Sequence, residues 1–434
     1  MDRFGPFFIR FRFLLRHDGK CTTILRMTQE KNKPIPLMIL SDATTSGTGF
    51  GRIAGDLASR IATNMQDVFR VATLGYGGMA SRKLPYHVYT IEGIHDWIIQ
   101  SLPEIWHDWA GDEQGIVMSI WDVSRLGWLS NPEPHIESFG KDNFLRKWLM
   151  KRPFKLWGYF PIDGSGPLDK LTFPLMKTIY GYDRVLAYGK FGEGVIRRTL
   201  GDADAEARHI TNLPHGIDSS VFYERDRKQC RELFFQISGA LPLIGNTKPI
   251  GDDEVLVGCI STNQSRKDLS LVAETFSILS KNKNYRLWLH TDALEKCWSI
   301  PSLLIDFGIL DKTVISLSTI PDENMAGCYT ACDLTIGPGS EGFGFPLMES
   351  QFCGTPAVAG SYAGGGDIVP KEWQIDPVAL RYEGSYAIRR PVYNAQDWVS
   401  KANELIGLRC NLPARYDWNN LWQEWEMYLR EAVK

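Results

Sequence analysis

Short apolar runs alternate with stretches of helical periodicity along most of the chain. Residues 37–40 read as a buried strand, residues 41–51 as a glycine-rich turn and residues 53–61 as an amphipathic helix. Further strands are predicted over 69–74, 115–121, 155–160, 184–188 and 209–213, with helical patterns between several of them. Parallel neighbours need a crossover and a helix supplies it, so this alternation predicts a parallel sheet covered on both faces. A turn-rich stretch, 239–253, carries Pro242, Gly245, Pro249 and Gly251 and reads as a linker. A second set follows, with strands over 254–260, 285–290, 314–317, 334–337 and 357–360 and helices over 269–279, 302–307, 325–331 and 346–352. In the tail, 418–432, Leu421, Trp425 and Leu429 fall on one helical stripe. The expected fold class is α/β, with two doubly wound, Rossmann-like domains. The expected divisions are an extension (1–26), a first domain (27–245), a second domain (246–408) and a helical tail (409–434).

Composition narrows the function classes. The 434 residues are 44% hydrophobic, enough for two or three cores and too many for a disordered chain. Lys and Arg number 48 against 51 Asp and Glu, so no global positive field draws in nucleic acid, although a local basic groove stays open. No apolar run reaches the roughly 20 residues of a membrane-spanning helix; the most apolar opening segment, 7–15, is broken by Arg10 and Arg12. The body therefore reads as soluble. In the extension, Arg3, Arg10, Arg12, Arg16, Lys20 and Arg26 interleave with Phe and Leu ahead of Met27. A targeting or membrane-surface segment is one reading; an upstream-start extension or an extra strand is the preferred one. Eight scattered cysteines without a Cys-x-x-Cys pair point to reduced thiols and a cytoplasmic location, with peripheral membrane association left open. Cys328 and Cys332 share a helix face but have no nearby His, which favours packing over metal binding.

The chemistry concentrates in residues 337–350. A strand ends in a loop with glycines at 337, 339, 342 and 344, and a helix begins with Pro346 near its first position, where the missing N–H costs nothing. Such a helix start offers backbone N–H groups and a positive dipole to a phosphate or hydroxyl. Glu341 lies in the loop and Glu349 inside the helix, placed to reach two parts of one elongated ligand. At the carboxyl end of a parallel strand, where such sheets bind ligands, the combination outweighs the structural reading of either feature alone.

These residues resemble the family-4 retaining glycosyltransferases. The Glu-x7-Glu signature stands as Glu341-Gly-Phe-Gly-Phe-Pro-Leu-Met-Glu349 and is followed by Cys353-Gly-Thr-Pro-Ala-Val-Ala359. The likeness extends to Pro214-His-Gly-Ile-Asp218 with Phe222, to Asn263-Gln-Ser-Arg-Lys-Asp268 and to the Trp-containing tail helix. It implies the GT-B architecture: two facing Rossmann-like domains, an acceptor domain first and a nucleotide-sugar donor domain second, with the C-terminal helix packing back toward the first. By that resemblance Glu341 hydrogen-bonds the donor sugar, Glu349 holds the ribose hydroxyls, and Arg266 and Lys267 neutralise the diphosphate. Gly342, Phe343, Gly344 and Phe345 of the donor loop are expected to bind the donor, together with Asn263 and His215.

Several positions depart from the family pattern. Ser261 stands where relatives often carry an Arg, a loss that Arg266 can offset. Asp163, after the strand 155–160, stands where many relatives carry a His; a carboxylate there can position a sugar hydroxyl or accept a proton. Asp122 is a second candidate, and either residue can instead cap a turn. Gly47, Gly49 and Gly51, with Arg52, match the family's first-domain glycine loop, although a Gly-x-Gly-x-Gly loop alone also fits a dinucleotide site. His215 is expected to line the cleft and organise the hinge. Asp202-Ala-Asp204 sits in a polar helical stretch with no preceding strand and reads as surface, so no essential metal is expected.

The sequence thus points to a retaining, metal-independent glycosyltransferase without cofactor, taking a nucleotide sugar and an acceptor. A glycan acceptor is favoured, with nucleic acid or a small molecule open. A catalytically silent scaffold and a dinucleotide-dependent oxidoreductase are the alternatives; the Glu341 and Glu349 pair makes both weaker.

Overall fold

A computed structural model of the chain describes residues 33–79, 83–91, 96–132, 144–410 and 413–434. The basic extension and the expectations attached to it lie outside these residues. Strands β1 (Ile35–Asp42), β2 (Phe69–Tyr76), β3 (His87–Ile91), β4 (Gly115–Ser119), β5 (Phe154–Phe160), β6 (Arg184–Ala187) and β7 (Thr211–Asn212) form one sheet in the order β3-β2-β1-β4-β5-β6-β7. Their pairings are all parallel. The apolar run of β1 is needed because helices cover both faces. Leu37 and Ile39 pack into one core with Ile53, Leu57 and Ile61 of the helix Gly49–Asn64. Met38 and Leu40 point the other way, into a core with Trp106 and Trp121, as the two-residue period of a strand requires.

The second sheet contains β8 (Leu241–Pro242), β9 (Val255–Ile260), β10 (Tyr285–His290), β11 (Thr313–Ser316), β12 (Leu334–Gly337), β13 (Ala357–Gly360) and β14 (Gln374–Ile375). Its order is β14-β13-β12-β9-β10-β11-β8. All neighbours are parallel except β8, which runs antiparallel to β11. The stretch 239–253 is therefore not a free linker. It supplies an edge strand, and the helices Arg227–Glu232 and Phe234–Ser238 before it already pack on the second domain's helix Asp322–Ala331. A two-residue strand containing a proline leaves no periodicity to read, and an edge tolerates the missing N–H. The sequence also gave no signal for the hairpin of β15 (Ala379–Glu383) and β16 (Ile388–Val392), which stands outside both sheets.

After the second domain the chain returns to the first. The Ile217 N–H donates to the Tyr416 carbonyl at 2.8 Å and the Trp418 N–H to the Ile217 carbonyl at 3.1 Å. Gly216 must be glycine for this approach: a Cβ there would lie 2.4 Å from the Trp418 ring. The helix Trp418–Ala432 then buries Trp418, Leu421, Trp425 and Leu429, and Trp425 Nε1 donates to the Pro214 carbonyl at 3.0 Å. In both sheets the strand order reverses direction once, between β1 and β4 and between β9 and β12. The loops following these four strands open at the carboxyl ends, where α/β sheets bind ligands.

Candidate active site

In the second domain, β9 leads into residues 261–268 and the helix Leu269–Leu279. Asp268 adopts a left-handed backbone (φ 45°), and its carboxylate accepts the Leu271 N–H at 3.3 Å. This turn delivers Arg266 and Lys267 to the loop that follows β12. The Ser340 N–H donates to the Arg266 carbonyl at 3.1 Å and Arg266 Nη1 donates back to the Ser340 carbonyl at 2.5 Å. Arg266 Nη1 also lies 3.6 Å from Glu341 Oε2, while Lys267 Nζ donates to Glu341 Oε1. Lys267 is buried, which pushes its pKa down against the pull of Glu341. Burial opposes the charge of Arg266 as well, but Asp163 and Glu341 together raise its pKa. Among these residues the two cations and Glu341 form one charged cluster at the switch point of the second sheet.

Gly344, with φ 101°, caps the helix Phe345–Phe352 in a conformation that favours glycine. At Gly342 a Cβ would come within 2.4 Å of the Pro161 Cβ, so the second-domain loop touches the loop after β5 directly. Glu349 is buried in the helix; Tyr329 Oη donates to its Oε2 at 2.8 Å, and Arg52 pairs with its Oε1 from across the domain boundary. Arg52 lies over the Phe222 and Phe345 rings at 5.0 Å each. Burial opposes its charge, but Glu349, Asp322 and Asp56 raise its pKa. Arg52 received little weight from the sequence; its place in the first turn after the glycine loop was the signal. The rings of Phe343 and Phe345 meet each other and the His215 ring, so these side chains brace the loop from within and do not form an open ligand wall.

On the first-domain side, the loop after β1 is held by Asp42, which accepts Trp121 Nε1 at 2.8 Å and Thr48 Oγ1 at 2.7 Å. Gly47 lies 3.9 Å, measured from an added Cβ, from Thr319 of the second domain, Gly49 borders open space, and Gly51 lets the helix start press on the Ala43 carbonyl. Asp163 lies between two arginines: Oδ1 is 3.0 Å from Arg390 Nη1 and Oδ2 is 3.4 Å from Arg266 Nε. Arg390 comes from β16 and was not singled out in the sequence, because a hairpin arginine has no periodicity or motif to mark it. Asp122 follows β4; burial and the charge of Asp163 raise its pKa.

Two expected ligand contacts are corrected. Asn263 is wholly buried and its amide is spent inside its own domain: Nδ2 donates to the Ala293 and Trp298 carbonyls at 3.1 and 2.8 Å, and Oδ1 accepts the Trp298 N–H at 2.9 Å. His215 does not line an open cleft. It is 0% exposed, its Nε2 lies 3.1 Å from Asp56 Oδ2, and the Trp418 and Phe345 rings stand edge-on at 4.8 and 5.0 Å. It sits at the junction of the tail helix, the 337–344 loop with Phe345, and the first helix. Asp204 of Asp202-Ala-Asp204 pairs with Arg208 on its own helical turn. Among the described residues there is no His, Cys, Asp or Glu group able to hold a metal, and no helix long and apolar enough to cross a membrane.

The His215 and Asp56 pair predicts a pH response. Burial lowers the His215 pKa despite Asp56, and His215 chiefly outweighs burial to lower that of Asp56. The unfolded His takes a proton near about pH 6.5 while the folded one resists it, so stability falls as pH drops below that value. Asp56 adds a loss at still lower pH, as protons are forced through its depressed folded pKa. Melting temperature is expected to fall between about pH 7.5 and 5.5, and His215→Asn to make the fall shallower, with the half-buried His290, whose pKa is also lowered by burial, supplying part of the remainder. An unchanged slope in the variant would remove His215 from the account.

Residues 246–374 match the family model described as glycosyl transferases group 1. A D-inositol 3-phosphate glycosyltransferase of Mycobacteroides abscessus is 31% identical over 206 residues, covering 47% of this chain and 40% of the relative. The corresponding protein of Arthrobacter sp. is 28% identical over 160 residues, covering 36% and 35%. These alignments thus span well under half of the relatives' own lengths. Among solved structures, Anabaena HepE in complex with UDP and glucose superposes with a TM-score of 0.64 at 13% identity, covering 92% of this chain and 100% of that one. The catalytic domain of Arabidopsis thaliana starch synthase IV, bound to ADP and acarbose, gives 0.56 at 12% identity, with coverage of 92% and 100%. The chain therefore has the GT-B fold, and its second domain carries the glycosyl transferases group 1 match over residues 246–374.

Proposed function

We propose that this protein is a retaining, metal-independent glycosyltransferase that moves a sugar from a nucleoside-diphosphate sugar to an acceptor hydroxyl on a glycan. The observation that carries the reading is the Arg266, Lys267 and Glu341 cluster at the second sheet's switch point, facing Asp163 of the first domain. Breaking the bond between the anomeric carbon and the diphosphate oxygen leaves the electron pair on that oxygen. Arg266 and Lys267 neutralise the charge as it develops, and being held in place beforehand they need little reorganisation. The acceptor oxygen bonds the anomeric carbon from the same face, and its proton passes to the departing phosphate oxygen, so no protein nucleophile takes part. In this scheme Glu341 exchanges part of its contact with Lys267 for a donor-sugar hydroxyl, Glu349 takes the ribose hydroxyls, and Gly47 and Gly49 let the first-domain backbone approach the phosphate. Contact between the domains excludes water and limits hydrolysis of the donor.

The test is a thermal-shift panel of UDP, GDP, ADP, NAD and common nucleotide sugars, because a ligand of the folded state raises its stability. UDP conjugates come first, given the UDP complexes of the structurally similar HepE. A hit is followed by transfer assays with oligosaccharides and with inositol phosphate, the latter suggested by the partial relatives, and by NMR of the product's anomeric configuration. One nucleotide class with retained configuration supports the reading. No shift with any nucleotide favours a silent scaffold, a shift with NAD alone an oxidoreductase, and an inverted product removes the retaining mechanism.

A further inference from the structure

Asp163 brings a negative charge into the region that, on the transferase reading, must receive an anionic diphosphate. Left alone beside Arg266, it would close both carboxylate oxygens on that guanidinium in a bidentate pair and cancel its charge. The hairpin prevents this. Arg390 Nη1 lies 3.0 Å from Asp163 Oδ1 and donates to the Asp163 carbonyl at 2.8 Å, while its Nε donates to Glu383 Oε2 at 3.1 Å. The guanidinium is thus oriented from its own hairpin and presents its far edge to Asp163. The other oxygen, Oδ2, lies 3.4 Å from Arg266 Nε. Arg390, Asp163, Arg266, Glu341 and Lys267 form a row of alternating charge, closed at the Arg390 end by Glu383.

The hairpin is seated firmly enough to do this. The Arg389 N–H donates to the Ser165 carbonyl at 2.7 Å and Arg389 Nη2 donates to Ser165 Oγ at 2.8 Å, with a further pair to Asp169. Tyr362 Oη accepts the Ser165 N–H at 2.9 Å and donates to the Arg389 carbonyl at 3.1 Å. Gly164 leaves room for Ile388, whose Cγ2 would lie 2.5 Å from an added Cβ. The hairpin belongs to the second domain's chain segment and the 163–169 loop to the first, so these contacts also tie the two halves of the site together.

We propose that Arg390 is a positioning residue for donor binding: it acts through Asp163, sharing that carboxylate with Arg266 so that Arg266 is less fully neutralised and can meet a nucleoside diphosphate. This rests on the transferase reading above. Calorimetric affinity for the nucleoside diphosphate that wild type binds, together with KM and kcat for its sugar conjugate, tests it. Arg390→Ala is expected to weaken diphosphate affinity by about tenfold and to raise KM more than it lowers kcat. Arg390→Lys keeps the charge but loses the fork to Glu383, and recovers part of the loss. In an Asp163→Asn background Arg390→Ala is expected to cost less than about twofold, because no carboxylate remains to collapse onto Arg266. Arg389→Ala removes the side-chain contacts to Ser165 and Asp169 but keeps the hairpin's backbone bonds to Ser165 and Tyr362, and leaves affinity within about twofold. Equal losses in both backgrounds, a full loss in Arg389→Ala, or no loss in Arg390→Ala would each overturn the proposal in favour of a structural tether. A wild type that binds no nucleoside diphosphate overturns the transferase reading itself, an outcome visible before any variant is made.

Discussion

Replacing Lys267 with alanine is expected to lower kcat/KM for the nucleotide-sugar donor by about 100- to 1,000-fold, the loss that follows removal of one preorganised group stabilising transition-state charge. Two effects combine. On the transferase reading the substitution deletes a buried cation from the position where the diphosphate charge develops, and it leaves Glu341 beside the site with Arg266 Nη1, at 3.6 Å, as its remaining cation. A carboxylate so exposed to an incoming anion repels it, so donor affinity falls together with the rate of the chemical step. The check is steady-state kinetics with the donor identified by thermal shift, alongside the shift itself, which should shrink or vanish. Activity within a few-fold of wild type, with the fold intact by circular dichroism, would remove Lys267 from the mechanism.

Trp425→Ala is expected to cost about 3–5 kcal/mol of stability, the range for truncating a fully buried large aromatic. Trp425 is 0% exposed, meets the Tyr159 ring edge-on at 5.1 Å, and donates to the Pro214 carbonyl next to His215. Truncation leaves a cavity between the tail helix and β5 and removes the partner of a buried carbonyl. Because the helix is the second segment to cross between domains, loosening it is also expected to lower kcat by weakening contact between the two halves of the site. Thermal and urea denaturation of the full chain measure the first effect, and a loss below about 1 kcal/mol would show that the helix is held mainly by its other contacts, such as Trp418 and the Arg430–Asp67 pair.

Much of the fold was legible along the chain for a definite reason. A parallel strand covered on both faces must be apolar at consecutive positions, and β1, β5 and β9 read that way; a covering helix must repeat its apolar residues every three to four positions, as residues 53–61 do. Elements that lack those constraints escaped. β8 spans two residues, one a proline, and β15 and β16 are a largely exposed hairpin whose role lies in two arginines. Within the site, Glu341, Arg266 and Lys267 stood out because they sit in loops that follow predicted strands, and Glu349 because it lies on the helix after such a loop; the structure brings Arg266, Lys267 and Glu341 together. Asn263 and His215 carried the same kind of motif signal yet turned inward, since nothing in a linear pattern distinguishes an amide that closes a loop from one that faces a ligand.

By itself the sequence determined the local conditions: which segments cross the interior, where glycines allow close backbone approach, and that two cations and one carboxylate follow strand termini with a second carboxylate on the next helix. These follow from periodicity and backbone sterics, which act between near neighbours. Only the tertiary structure decided the partners. Arg52 reaches Glu349 and Arg390 reaches Asp163 across 297 and 227 positions of chain, measured by the hydrogen bonds to each of those residues. Such pairings depend on how two domains and a hairpin are set against each other, and charge interactions between them depend on distance and burial, neither of which is written in the spacing of residues along the chain.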